Sequence, residues 1–178
     1  TTPFQGISTR WSKPFVQPPL GLCYIAGVLE KEGYSVKILD CLALEYSLSD
    51  IKRVIKEYNP QIVGVSLCYS SLYKNAKDLS KAIKDTNPKI ISVVGGAHLF
   101  LNYLQTMQDM PYFDYAIRGE GEYAFLELVR AIQKKQNLNK IKGLIFRKRG
   151  KLKVNKPREW INNLDELINL LHNEAKVI

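Results

Sequence analysis

Apolar positions along this chain alternate between helical and strand spacing, which divides it into a regular succession of elements. From Pro19 to Lys31, Leu22, Ile25, Ala26 and Leu29 recur at three and four residues, the period of one helix face, and Gly33 stands where a left-handed helix end is wanted. Val36, Ile38 and Leu39 predict a short strand ending at Asp40. Ser47, with Asp50 three residues on, predicts a capping box for a helix carrying Ile51, Val54, Ile55 and Tyr58, which Asn59-Pro60 stops. Gln61 to Ser66 is then a compact β-branched run, the pattern of a strand covered on both faces.

The cycle repeats. Ala76, Leu79, Ala82 and Ile83 give a helical stripe ended by Asn87-Pro88, and Lys89 to Val94 gives the next buried strand. Two such joints argue for repeated βα units, whose right-handed crossovers generate a parallel sheet. A helix around Leu99 to Met107, a short strand at Tyr115 to Arg118 and a helix from Glu122 to Lys134 follow. Gly143 to Val154 alternates in places around Gly150 and predicts a hairpin, and Leu164, Leu167, Ile168 and Leu171 predict a terminal amphipathic helix. The expected fold is α/β, a doubly wound, mainly parallel five-stranded sheet with helices on both faces. Residues 1–136 form its body, and 137–178 add the hairpin and helix. A doubly wound sheet also needs a strand before the first helix; Thr1-Thr2-Pro3 reads as its far end, with its beginning outside this sequence.

Charge changes the picture only once it is located. The formal charge is +9, but eleven basic and no acidic residues lie between Lys134 and Arg158, leaving 15 basic against 17 acidic elsewhere. The body is slightly acidic and the hairpin strongly basic. A solvated hairpin or a docking arm fits that stretch, whereas the scarcity of aromatic residues there makes nucleic acid a weak option. No apolar run approaches the roughly 20 residues of a membrane span. Cys23, Cys41 and Cys68 are an odd, widely spaced set with no metal spacing, which favours a reducing cytoplasm; packing roles are expected for Cys41 and Cys68.

Chemistry is expected where parallel strands end, because ligands of doubly wound sheets bind outside those carboxyl ends. Gly64 and Gly95-Gly96 lack side chains there, Ala97 leaves further room, and Ser66 adds a hydroxyl. Either glycine site alone also suits an ordinary strand-to-helix turn. The acidic pair Glu120 and Glu122 could equally serve a helix dipole.

Five segments together carry a resemblance. Pro19 to Gly27 and on to Gly33, Ile62-Val63-Gly64-Val65-Ser66, Val94-Gly95-Gly96-Ala97-His98, Arg118-Gly119-Glu120-Gly121-Glu122 and Ile141-Lys142-Gly143-Leu144 occur in the order seen in one family. The chain resembles the cobalamin-binding, flavodoxin-like amino-terminal domain of radical S-adenosylmethionine enzymes, which include magnesium-protoporphyrin monomethyl ester cyclases and many methyltransferases. The resemblance implies cobalamin with its nucleotide tail beside Ser66 and across Gly95-Gly96 and Ala97. It also implies contacts from Gly21, Leu22, Tyr69, Ser70, Gly119, Glu120 and Gly121.

Relatives that place histidine on cobalt carry Asp-x-His-x-x-Gly before the first helix. This chain has Pro19 to Tyr24 there, with no imidazole, so no protein histidine is expected on the metal. His98 follows the glycine pair and is not assigned to cobalt, and a surface role is expected for His172. The three clustered cysteines that hold an iron-sulfur centre are also absent, so that cluster, S-adenosylmethionine and catalysis are expected in a barrel domain supplied in cis or in trans. A different class of function remains open: a cofactor-free module that docks a protein or nucleic acid through the basic hairpin.

Overall fold

The computed structural model describes residues 19–162. The expected helices at the start form as α1, Leu20–Lys31, and α2, Leu48–Tyr58. Gly33 takes φ 82° just past α1, and the capping box of α2 is complete, with Ser47 and Asp50 each accepting from the other's backbone N–H. The two Asn-Pro joints end their helices differently. Asn59 is left-handed at φ 48°, whereas Asn87 is extended, the conformation that a following proline favours.

Strand β1, Ile62–Ser66, leads into α3, Tyr73–Thr86, then β2, Ile91–Gly95, and α4, Leu99–Asp109, which kinks at Asn102. Strand β3, Tyr115–Ile117, and α5, Glu122–Gln133, complete the body; β4, Leu144–Lys148, and β5, Lys151–Val154, form the hairpin. Its turn places Arg149 and Gly150 at φ 50° and 76°, the sense that matches the twist of the flanking strands.

The sheet has five strands in the order β1-β2-β3-β4-β5. Strands β1, β2 and β3 are parallel, and β4 and β5 join antiparallel. The α/β architecture is as expected, but the fifth strand is found differently. Val36 to Leu39 forms no ladder, only an isolated bridge at Ile38, and the hairpin enters the sheet beside β3 instead of standing apart from it. Val36, Ile38 and Leu39 still pack inward, against α1 on one side and α2 on the other. Apolar pattern alone therefore exaggerates that segment's pairing. The expected strand end at Thr1-Thr2-Pro3 and the terminal helix beginning after Asn163 lie outside the described residues.

Strand alternation sorts the core into two layers. Ile91, Val93, Ile117, Leu144 and Phe146 face α5, and α5 in turn packs on α1. Val94, Ala116 and Ile145 face α3 and α4, while Val63 and Val65 meet Ile51, Ile55 and Ile83 of α2 and α3. Helices thus cover both faces. Within the described residues, no helix is long and apolar enough to cross a membrane.

Candidate functional site at the carboxyl rim

Parallel register brings the strand ends to one rim, since Ser66 of β1 lies opposite Gly95 of β2 and Val94 lies opposite Ala116 of β3. Ser66, Gly95-Gly96-Ala97 and Arg118 to Gly121 therefore share an edge. The start of α1 joins them. A Cβ on Gly121 would lie 3.1 Å from Ile25 Cδ1, and Gly21 is one turn before Ile25 on the same helix face. Leu22 is turned away, into a small cluster with Cys23, Ala26 and Ile38.

The glycines of this rim are of two kinds. Gly21 and Gly119 have no heavy atom within 4 Å of where a Cβ would stand, and Gly119 has φ 86°. Gly95 is nearly as open, its closest atom being Ile117 O at 3.9 Å. Gly96, by contrast, is packed against protein: its φ is 108° and a Cβ would stand 2.7 to 2.9 Å from the backbone of Leu67. Gly64 has the Phe125 ring 3.2 Å from the same point. The missing side chain of Gly64 is thus replaced by an aromatic ring from α5.

Polar groups of the rim already have partners in part. Ser66 Oγ is 3.2 Å from Cys68 Sγ. Ser70 Oγ is 2.9 Å from His98 Nδ1, and the His98 ring stands edge-on to Tyr73 at 5.3 Å. Tyr73 donates from its hydroxyl to Asp109. Tyr69 is exposed, and Glu120 accepts from the Ile161 amide, which draws the segment after the hairpin across the rim. Cys68 corrects an expectation. Leu67 takes the buried place after β1, so Cys68 projects outward and is exposed. Cys41 does pack, and burial with the nearby Asp40 charge pushes its thiol up to about 11.

Glu122, which the sequence presents only as a helix-dipole residue, also belongs to the site. Its Oε2 is buried with no hydrogen-bond partner, and burial, reinforced by the Glu120 charge, raises its pKa. Sequence shows the acid in the first turn of α5 but nothing of the burial. The neutral acid is favoured in the folded state, so stability is greatest while Glu122 is protonated and falls as pH climbs from the ordinary carboxylate range through the higher folded-state value. Glu122→Gln is expected to remove this fall and raise the melting temperature at pH 7 relative to the parent; an unchanged profile of melting temperature against pH would contradict it.

The residues present fit a large flat cofactor at this rim. Gly21, Gly95 and Gly119 leave its outer side bare, and Ser66, Tyr69 and Glu122 border it with polar groups. No group of three or more His, Cys, Asp or Glu side chains that could hold a metal ion occurs within the described residues. The basic hairpin tip belongs elsewhere. An open groove of about 680 Å³ is lined there by Lys148, Arg149 and Lys151 to Val154, and antiparallel pairing of β4 puts that tip at the opposite edge of the sheet.

Comparison with known proteins adds an independent result. A family model described as the B12 binding domain matches residues 12–129. An uncharacterised methyltransferase of Pyrococcus horikoshii is 40% identical over 150 residues, covering 84% of this chain and 32% of that protein. Cytidylyl-2-hydroxyethylphosphonate methyltransferase of Streptomyces wedmorensis is 34% identical over 163 residues, covering 82% and 30%. The chain thus spans about a third of the length of these relatives. The radical S-adenosylmethionine methyltransferase TsrM from Kitasatospora setae, solved with cobalamin and an iron-sulfur cluster bound, superposes with a TM-score of 0.68 at 22% identity, covering 82% of this chain and 27% of that one. The last likeness is one of fold.

Proposed function

The chain belongs to the B12 binding domain family, and from that premise we propose that it holds cobalamin at the carboxyl rim, with no histidine of its own on cobalt. It would serve as the cofactor domain of a radical S-adenosylmethionine methyltransferase or cyclase, working with a barrel domain in cis or in trans. The observation that carries this reading is the bare arc from Gly21 through Gly119 to Gly95, where three backbone segments present no side chain to the outer space. A planar macrocycle can approach such a surface closely, and burial of its apolar faces favours binding.

Ser66 and Tyr69 border the arc from β1 and the loop after it, and the Gly119 to Gly121 turn borders it from β3. These groups would bind and orient. Cobalamin, when bound, supplies carbon-cobalt chemistry, and this chain supplies placement. Phe125 stands against Gly64, 3.2 Å from where a Cβ would lie. His98 Nδ1 is held by Ser70 and its ring stands edge-on to Tyr73, while its buried Nε2 has no hydrogen-bond partner. No other histidine lies within residues 19–162.

The direct test is to mix the purified chain with hydroxocobalamin and pass it through gel filtration. Red colour is expected to elute with the protein. Electron paramagnetic resonance of the reduced cobalt form should then show no coupling to a histidine nitrogen of the chain. A colourless protein peak overturns cofactor binding, and a nitrogen coupling that disappears in His98→Ala overturns the histidine-free assignment. The basic hairpin offers a second reading, as a docking arm at the opposite edge. It requires salt-sensitive partner capture by a colourless protein.

A further inference from the structure

The hairpin leaves one edge of the sheet open. Strand β5 stands last in the sheet order and, among the described residues, pairs with β4 alone. Bonded and unbonded pairs alternate along an antiparallel ladder, and Asn155 donates its N–H to Leu144 O at 3.0 Å, so Phe146-Lys153 and Lys148-Lys151 are the bonded pairs. Leu152 and Val154 therefore turn their backbone N–H and C=O outward. Such groups are what an incoming extended segment uses to add a strand. The side chains beside them divide by face: Lys148, Lys151 and Lys153 share the face of Phe146, while Leu152, packed toward Ile145, shares the other with Val154, which is 39% exposed.

Charge says what kind of segment fits. Lys148 stands directly across from Lys151, and like charges so placed cost stability when nothing offsets them. Cations elsewhere have partners. Lys84 is paired with Asp114, Arg130 with Glu32, Lys142 with Glu159 and Arg158 with Glu127, and Arg118 lies over the rings of Tyr103 and Phe100, the latter stacked on Trp160. Among the described residues, no carboxylate pairs with Lys148, Arg149, Lys151 or Lys153. Lysines on a free edge also discourage pairing with a second copy, which brings the same charge. An acidic strand meets no such opposition and offsets the Lys148-Lys151 repulsion. Nucleic acid or an anionic lipid surface would satisfy the charges but leave the outward amides and the Leu152-Val154 face unused.

We propose that the β5 edge is a docking site for an acidic, extended polypeptide segment. The segment adds to the sheet as a further strand, with carboxylates beside Lys151 and Lys153 and apolar side chains beside Leu152 and Val154. The open groove of about 680 Å³ between the hairpin strands gives those side chains room. The proposal deepens the docking reading of the hairpin. It holds whether or not cobalamin occupies the rim, because antiparallel β4 carries the hairpin tip away from it.

The probe is a fluorescein-labelled Glu-Val-Glu-Val-Glu-Val-Glu peptide, titrated into the full chain and followed by anisotropy. Saturable binding is expected, weakened at least about tenfold by added salt and also by N-methylation of every peptide bond, which keeps the charge and abolishes the ladder. Val154→Pro deletes an outward N–H that makes no bond within the sheet, and it should weaken binding to a similar degree. Lys151→Glu with Lys153→Glu should abolish binding and confer binding of Lys-Val-Lys-Val-Lys-Val-Lys, an exchange that damage to the fold cannot produce. Three results overturn the proposal: no saturable binding to the parent, equal binding of the methylated peptide, or tighter binding of oligothymidylate or phosphatidylserine vesicles that the charge exchange abolishes. Hydrogen exchange of β2 and α5 reports the fold of each variant, and if Val154→Pro loses protection there, the methylated peptide on the parent chain decides the same point. Hydroxocobalamin retention, measured on the same samples, reports on the rim separately, so that either reading can fail alone.

Discussion

Gly96→Ala is expected to destabilise the chain by about 2 to 5 kcal/mol, a large part of the net stability of an ordinary domain. Two costs act at once. The backbone of Gly96 is at φ 108°, a conformation that side chains other than glycine's rarely adopt. The added Cβ would also stand 2.7 Å from Leu67 O, 2.8 Å from its carbonyl carbon and 2.9 Å from its nitrogen. Those atoms cannot yield cheaply. Leu67 is fully buried, its N–H donates to Gly95 O at 2.7 Å, and its carbonyl accepts from the His98 N–H at 3.1 Å. Any shift that relieved the clash would break the joint between the ends of β1 and β2. Gly95→Ala is the matched control, because its Cβ would meet nothing closer than 3.9 Å. Urea denaturation of the two variants reads the difference directly, and equal midpoints would show that Leu67 can move.

Gly21→Leu should have the opposite signature, with stability held or slightly raised and hydroxocobalamin binding weakened at least about tenfold, or roughly 1.4 kcal/mol. Glycine within a helix costs roughly 0.5 to 1 kcal/mol relative to alanine, and no heavy atom lies within 4 Å of the new Cβ in α1. The protein therefore loses nothing by the change. The cofactor reading loses a bare stretch of rim one turn from Ile25, where α1 abuts Gly121. Titration followed by visible absorbance, alongside thermal unfolding of the same samples, separates the two effects. Unchanged affinity with unchanged stability would remove Gly21 from the binding surface.

Elements with strong local signals are legible in the amino-acid order alone. Ser47 and Asp50 announce the start of α2 because their side chains satisfy its first free N–H groups within four residues of sequence. The Arg149-Gly150 turn is equally local. Val36 to Leu39 suggests a paired strand because apolar alternation reports burial, and this segment is buried between α1 and α2 without laddering into the sheet. Cys68 misleads for a related reason: one residue of offset after β1 decides which of Leu67 and Cys68 faces inward, and the chain continues apolar through both.

The site is legible as a set of positions and illegible in its roles. Gly21, Gly64, Gly96 and Gly119 are alike in sequence, yet two face open space, one is filled by Phe125 and one by the Leu67 backbone. Glu122 and Trp160 carry no distinguishing sequence signal, since an acid in a first helical turn and an aromatic residue in a loop are both ordinary.

The order of the helices, the parallel βα repeats, the basic hairpin and the lack of an imidazole before α1 were determined by the sequence itself, because each depends on neighbours within a few residues or on simple composition. Which glycines are vacant, which polar atoms are orphaned and which apolar faces remain uncovered was decided only by tertiary structure. Those properties depend on what residues distant in sequence bring into the same few ångströms, as Phe125 does to Gly64 and Trp160 does to Phe100.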